Sequence, residues 1–153
     1  MDTNGALRKK IKPVYIVIIA LLVVALVASA FIVPYMIKRS KIADVATGFM
    51  TGLFEYDYDE YSQYVHPNVK TEYTEEWDYG LIVSVDECKL KKLEFCEFDE
   101  LGIICQEFLL EKNVEAEQYA LAHVEIKRFS DPENPAKYTL VLCKYEGEWK
   151  VAY

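Results

Sequence analysis

The chain has 153 residues, of which 52% are hydrophobic, and it carries 17 basic against 25 acidic side chains for a net charge of -8. This composition excludes a disordered chain and allows one small folded domain at most. The charge is divided, because residues 1 to 41 carry seven bases and one acid, whereas residues 42 to 153 carry ten bases and 24 acids. The resulting charge of -14 on the second region repels phosphate backbones, which excludes nucleic acid as a partner.

An uncharged segment of 24 residues, 14 to 37, follows the basic N-terminus. As a helix it is about 36 Å long, which spans a bilayer with some tilt. Four bases precede it and three follow it closely, so the positive-inside rule favours a cytoplasmic N-terminus and anchoring in the cell membrane. The predicted organisation is a cytoplasmic basic N-terminus at 1–12, a transmembrane helix at 13–37, a basic juxtamembrane linker at 38–41 and an extracytoplasmic domain at 42–153.

The competing interpretation of the apolar segment is a cleaved signal peptide. Ala28-Ser29-Ala30 has the small-x-small form that a signal peptidase accepts. The apolar stretch continues beyond this point to Ile37, so a cleaved product would begin with an exposed apolar tail. A retained anchor is therefore favoured, and both interpretations export the domain.

Helical patterns dominate the first part of the domain. Apolar residues recur with the period of an amphipathic helix from Ile42 to Leu53. Gly48 and Gly52 form a small-xxx-small pair on this helix. Inside a membrane such a pair would suggest helix dimerisation, but outside the apolar span we expect it to allow close packing on a sheet.

Residues 54 to 80 combine tyrosine and tryptophan with eight acids and a single lysine. Two short helices are predicted there, one interrupted by Pro67 and one ending near Gly80. The period changes to two from Glu87, which predicts a strand, and Asp99 is then expected to cap a further helix.

Two long strands and a hairpin complete the chain. The loop at 130–135, SDPENP, is predicted to separate the two strands, and Gly147 supplies the positive φ of a tight turn before the last strand. In the first long strand, one face is predicted to carry Ala120, Ala122, Val124 and Ile126, and the other His123, Glu125 and Lys127. In the hairpin, Leu142 is predicted to pair with Val151, and Lys144 to lie beside Trp149 as a candidate cation–π pair.

Three parts of the sequence carry a family resemblance: the opening helix that ends in DYDEY, the following His66-Pro67, and the final Gly147-x-Trp149-x-Val151 hairpin. Residues 42 to 153 resemble the nuclear-transport-factor-two-like superfamily, also called ketosteroid-isomerase-like or SnoaL-like, in the membrane-anchored or lipoprotein versions found on bacterial cell surfaces. The resemblance implies an α+β cone-shaped domain in which N-terminal helices pack on a curved antiparallel sheet. Dimerisation through the sheet is common in this superfamily, so the resemblance also implies that the domain can dimerise in this way.

An enzyme of this superfamily would need an Asp, Tyr or His directed into the cone. No catalytic pair of the family can be matched residue by residue, so we assign no catalytic residue. His66, before Pro67, is interpreted as a surface histidine, and His123 either lines a pocket or faces solvent. The two histidines are far apart in sequence and no Cys-x-x-Cys occurs, so we expect neither a metal nor a cofactor.

The four cysteines all lie in the predicted exported domain, where disulfides can form. Cys88 and Cys96 share a strand face but lie about 26 Å apart along it, so they cannot pair with each other. Pairing among Cys96, Cys105 and Cys143 stays open. The alternative is four small buried hydrophobic residues.

The low-specificity candidates for ligand binding are Tyr56, Tyr58, Tyr61, Trp77 and His123. Aromatic rings beside carboxylates can bind a cation, a sugar or a basic peptide, but helices with rings inward and acids outward give the same pattern, which we favour. We therefore predict a membrane-anchored extracytoplasmic, non-catalytic module that binds a small ligand or a partner protein. The alternatives are an isomerase- or dehydratase-like enzyme in the cone pocket and a structural assembly subunit, and a homodimer stays open.

Overall fold

The computed structural model describes residues 13 to 72 and 84 to 153, and the chain divides into two compact units, Met1–Lys38 and Arg39–Tyr153. The first helix, α1, runs from Pro13 to Glu55 and includes Pro34. Every large apolar side chain from Val14 to Ile37 is exposed, which is the surface that a lipid-facing helix presents. By length and composition, this part of α1 is able to cross a membrane.

The four residues expected to form a linker, 38 to 41, are helical in the structure. They contain neither Gly nor Pro, and Lys and Arg are good helix formers, so nothing in their sequence interrupts the hydrogen-bond ladder. The predicted boundary therefore marks a change of solvation within one helix. It does not mark a break in secondary structure.

The second half of α1 packs against the rest of the domain through the face predicted from its period. Ile42, Ala46, Phe49 and Met50 are buried along it. Gly48 and Gly52 face the chain that follows α1, where a Cβ would lie 2.6 Å from the Tyr64 ring and 3.0 Å from the Tyr61 backbone nitrogen, respectively. The glycine pair thus allows close packing, but on this segment and not on the sheet as expected.

Short helical elements follow α1. They are α2, Tyr58–Ser62, and a 3₁₀ helix, Pro67–Glu72. The predicted helix that ends near Gly80 falls outside the described residues. Between α2 and the 3₁₀ helix, the backbone of residues 64 to 66 runs parallel to the last strand. The Val151 backbone N–H donates to the Tyr64 carbonyl, and the His66 backbone N–H donates to the Val151 carbonyl, both at 2.8 Å.

The sheet has four antiparallel strands in sequence order: β1 Val85–Cys96, β2 Tyr119–Arg128, β3 Asp131–Tyr145 and β4 Glu148–Val151. Helix α3, Ile103–Glu111, lies between β1 and β2 in sequence. Its N-cap is Gly102 and not Asp99. Asp99 instead belongs to a 3₁₀ turn, Phe98–Glu100. At its start the side chains of Glu97 and Glu100 each accept a hydrogen bond from the backbone N–H of the other.

The loop predicted at 130–135 is shorter than expected, because β3 begins at Asp131 and Arg128 pairs with it. Pro132 and Pro135 are therefore strand residues. They are tolerated there because they lie in a register shift between the pairs Arg128–Asp131 and Ile126–Ala136, where β3 has no regular partner on β2 and a missing N–H removes no ladder hydrogen bond.

The C-terminal hairpin agrees with its prediction. Glu146 and Gly147 have φ values of 50° and 82°, the left-handed pair that a tight hairpin turn needs, and Leu142 pairs with Val151. Lys144 pairs with Trp149 in register, but its ammonium group binds Glu117 at 2.9 Å.

The core lies between α1 and one face of the sheet. Ala120, Ala122, Val124 and Ile126 are buried on that face of β2, as the period of two predicted. On the opposite face Tyr119 packs against Phe98 and donates to the Val114 carbonyl, so the α3 region covers that end of the sheet. The domain is α+β, with N-terminal helices packed on an antiparallel sheet, as predicted.

Candidate functional site

The tyrosines of the acidic band contribute to packing. Tyr61 is buried and meets the Phe49 ring edge-on at 6.1 Å between centroids, and Tyr58 meets Tyr61 edge-on at 5.4 Å. These are the distances and angles of packed aromatic pairs. A ligand could reach the Tyr61 ring only by separating α2 from α1.

The acids of the same band stabilise the start of α2. The Asp57 carboxylate accepts a hydrogen bond from the Glu60 backbone nitrogen at 2.9 Å, and Asp59 and Glu60 lie in the first turn, where negative charge is favourable. Tyr56 is half-buried at the bend between the two helices, with a φ of 61°. The fourth aromatic candidate, Trp77, lies outside the described residues.

Most of the core-facing side of the sheet, where a cone pocket would open, is packed with the chain's own side chains, although Phe95 is 39% exposed and a cleft of about 380 Å³ borders Trp149. The rings of Phe95 on β1 and Trp149 on β4 approach to 6.0 Å, although β2 and β3 lie between their strands. Three strand spacings correspond to about 14 Å, so the two rings meet only because the sheet curls toward this face. The small side chains of Ala120 and Ala122 lie on the same face, and they leave space for the bulkier side chains of α1 in the same core cluster.

His123 lies on the opposite face of the sheet, in a chain of polar contacts across three strands. The Glu94 Oε1 atom is 2.8 Å from its Nε2 atom, and the Thr139 Oγ1 atom is 2.9 Å from its Nδ1 atom. Lys92 also binds Glu94, and hydrogen bonds from Lys92 and His123 hold the pKa of the Glu94 carboxyl below its usual value.

A β-bulge shapes the surroundings of His123. Leu90 pairs with Val124 and Lys92 with His123, so Lys91 is an extra residue in β1, and it binds Glu125 at 2.9 Å. A cleft of about 290 Å³ opens beside these groups. Its charges are largely paired with one another on a solvent-exposed face.

The Glu94–His123–Thr139 order is that of a carboxylate, an imidazole and a hydroxyl. In a nucleophilic site, a closed and water-excluded surrounding strengthens such contacts and stabilises the developing charge. Here Thr139 is exposed, His123 is partly exposed, and Lys92 competes for the carboxylate. The arrangement fits a polar ladder on a solvent-facing sheet.

His66 is the polar group whose surroundings the sequence did not indicate. It is buried at 1% exposure, whereas a surface position was expected. Its ring meets that of Tyr145 edge-on at 4.5 Å, and its Nδ1 atom accepts from the Asn68 backbone nitrogen at 3.2 Å. Among the described residues its Nε2 atom has no hydrogen-bond partner, and burial lowers the pKa of the imidazole.

All four cysteines lie within the described residues, and each is a free thiol. Burial raises the pKa of Cys143 to about 12 and that of Cys88 to about 11, the latter despite a hydrogen bond with Thr51. Such thiols are poor nucleophiles and poor metal ligands. In the two described segments, no cluster of three or more His, Cys, Asp or Glu side chains is arranged to hold a metal ion.

Helix α3 has an outward side that carries large aliphatic residues. Ile103, Ile104 and Leu110 are 73%, 71% and 65% exposed, and helical spacing places Glu107 and Glu111 among them. These five residues are called the α3 face below. The inward side is anchored by Leu109, which is fully buried, and by Phe108, whose ring lies 5.1 Å from that of Tyr153.

No protein-family model matches this chain. No curated protein shows significant similarity to it either. Among the solved structures, it is similar to a crystal structure of a proposed NTF2-like transpeptidase from Campylobacter jejuni, with a TM-score of 0.45 and 11% sequence identity over 72% of this chain and 95% of that chain.

No residue role and no activity follow for this chain from a similarity of that size. The fold of this chain rests on its own elements: the domain is α+β, with N-terminal helices on a curved, four-stranded antiparallel sheet.

Proposed function

We propose that the chain is a membrane-anchored interaction module. The apolar part of α1 holds the domain at the extracytoplasmic side of the membrane, and the domain binds a partner protein without catalysing a reaction. The length and exposure of the apolar residues 14 to 37 support the anchor, and the distribution of bases around them supports the orientation.

The observation that carries the proposal is the filled core-facing side of the sheet. The rings of Phe95 and Trp149 approach to 6.0 Å across it, and Phe49 and Met50 of α1 are buried in the core with 1% and 2% exposure. A small-molecule site needs a concave space with a few convergent polar groups. Among the described residues, His66 is the one buried residue of the polar or charged class, and it lies beside Tyr145 and not among convergent polar groups.

The isomerase- or dehydratase-like alternative needs an acid or base beside a bound substrate. His123 and Glu94 lie on the opposite, solvent-exposed face of the sheet, and the Tyr61 hydroxyl belongs to a buried side chain. These groups do not converge on one enclosed space. This separation favours binding of a partner at the surface over chemistry in a pocket.

The experiment that tests the proposal uses Trp149 as a reporter. The chain has two tryptophans, so a Trp77→Phe variant of the full chain leaves Trp149 as the sole indole fluorophore. Because Trp149 is 6% exposed, we expect weak quenching by acrylamide and no saturable change with apolar or aromatic small molecules. The Trp149→Phe variant, which keeps Trp77, is the matched control for binding elsewhere.

A photo-crosslinking residue at position 104 on the α3 face, introduced into the membrane-bound chain in intact cells, tests the second half of the proposal. We expect a discrete cross-linked protein there and none from the same group at position 129, which is also exposed. A saturable response of Trp149 to a small molecule, together with no cross-link at position 104, would contradict the proposal.

A further inference from the structure

The surroundings of the α3 face are acidic. Residues 97 to 115 contain six acids and one base, Lys112. Asp99 and Glu100 are exposed directly before α3, and Glu107 and Glu111 lie within its outward side. The three exposed aliphatic side chains are therefore surrounded by carboxylates.

Lys112 compensates the charge of the α3 face only in part. Its ammonium group binds the Glu72 carboxylate and lies 5.7 Å from the centre of the Phe108 ring on the inward side of the helix, and it is 3.8 Å from the Glu111 carboxylate. Its side chain is 23% exposed, and the hydrogen bond to Glu72 is the main cause of a raised pKa. Lys112 is thus held mainly by the contact between α3 and the 3₁₀ helix, and the α3 face keeps a net negative charge.

The negative charge of the α3 face determines which kind of surface could cover its aliphatic residues. A second copy of the chain meeting this face through its own α3 face would bring Glu107 and Glu111 against their equivalents, which is unfavourable. An anionic lipid surface is repelled for the same reason. A partner with aliphatic side chains flanked by Lys or Arg complements both the apolar and the charged residues.

The spacing of the aliphatic residues indicates the shape of that partner. Ile103 and Leu110 are seven residues apart, about 10 Å along the helix axis, with Ile104 beside the first. Two helical turns of a second amphipathic helix have the same length and present anchors at i, i+3 or i+4, and i+7. We propose that the α3 face binds a basic amphipathic helical segment of a partner protein, an inference that rests on the proposed function.

The test uses the full chain in nanodiscs of zwitterionic lipid, with a fluorescently labelled peptide of leucine and lysine in helical period as the probe. Binding is followed by anisotropy, with empty nanodiscs and a scrambled peptide of the same composition as controls. The triple variant Ile103→Gln, Ile104→Gln and Leu110→Gln should weaken binding by at least about tenfold, because it removes the apolar area that the peptide covers. Phe129→Gln removes an aromatic side chain of 67% exposure elsewhere and should leave binding unchanged.

The charged part of the inference has its own variant pair. Glu107→Gln with Glu111→Gln should weaken binding several-fold at low salt and flatten its salt dependence. Glu55→Gln with Glu133→Gln removes two exposed carboxylates elsewhere in the chain, and it should change neither quantity beyond the small effect of net charge.

Three results would overturn the inference. They are equal binding of the scrambled peptide, binding that the triple variant leaves intact, and self-association of the wild type that the triple variant abolishes, as measured by light scattering. If the cross-link at position 104 forms in cells but the peptide neither binds nor competes with it, the proposed function stands and the basic amphipathic partner is refuted. If neither the cross-link nor the peptide complex forms, the inference fails, and the proposed function fails with it when Trp149 also responds saturably to a small molecule.

Discussion

Replacing Gly52 by alanine tests the close contact between α1 and α2. An alanine in a helix interior is more favourable than glycine by about 1 kcal/mol, so helix propensity alone predicts stabilisation. The structure predicts the opposite sign. The new Cβ would lie 3.0 Å from the Tyr61 backbone nitrogen and 3.1 Å from the Tyr61 Cβ, so the backbone of α2 must move.

The movement has a cost because Tyr61 is buried against Phe49 and Tyr58. Overpacking of a well-packed site costs about 1–3 kcal/mol, which leaves a net destabilisation of about 1 kcal/mol after the gain in helix propensity. Gly102→Ala is the control, since no atom lies within 4 Å of the Cβ it adds and its φ of -59° suits alanine.

The assay is urea unfolding of the full chain in detergent, followed by Trp149 emission in the Trp77→Phe background. We expect Gly52→Ala to lower the midpoint by more than Gly102→Ala, which should cost only the roughly 0.5 kcal/mol that alanine loses relative to glycine at the N-cap of α3. A Gly52→Ala variant as stable as the parent, or more stable, would show that α2 does not pack tightly on α1.

Three further predictions concern buried groups. Phe49→Ala should destabilise the domain by about 3–5 kcal/mol, whereas Phe129→Ala, at an exposed turn, should change stability little in the same urea assay. Because burial lowers the pKa of His66, the unfolded chain takes up the proton before the folded chain as the pH falls. The free energy of unfolding should therefore be constant above the ordinary histidine pKa of about 6.5 and decrease below it. His66→Leu should reduce this decrease with falling pH. In native alkylation followed by mass spectrometry, Cys105 should react before Cys143, whose thiol is buried with a pKa of about 12, and equal rates would contradict the packing of Cys143.

The local patterns in the sequence predicted the strands and the hairpin well, because each depends on near neighbours. The period of two identified both faces of β2, and Gly147 marked the turn that its φ of 82° requires. Pro132 and Pro135 were misread as loop residues, since a sequence does not show where a strand carries a register shift that accommodates proline.

The site could be predicted less well, because its properties come from contacts that are distant in sequence. His66 was expected at the surface, but it is covered by Tyr145 from the C-terminal hairpin. His123 was correctly placed opposite the apolar face of β2, yet its contacts with Glu94 and Thr139 depend on the register of three strands. The exposure of the α3 face was also hidden, because Ile103, Ile104 and Leu110 are as apolar as Leu109, which is buried.

The two prolines at the start of β3 also affect what happens when copies of the domain meet one another. An unpaired strand offers its N–H and C=O groups to any other extended chain. Pro132 and Pro135 remove two of the donors on β3, and Lys89, Lys91 and Lys92 add charge and a bulge to the strand at the opposite end of the described sheet. The first part of β3 and the outer edge of β1 therefore both resist strand-to-strand polymerisation, so that copies of the domain can be concentrated without aggregating through these backbones.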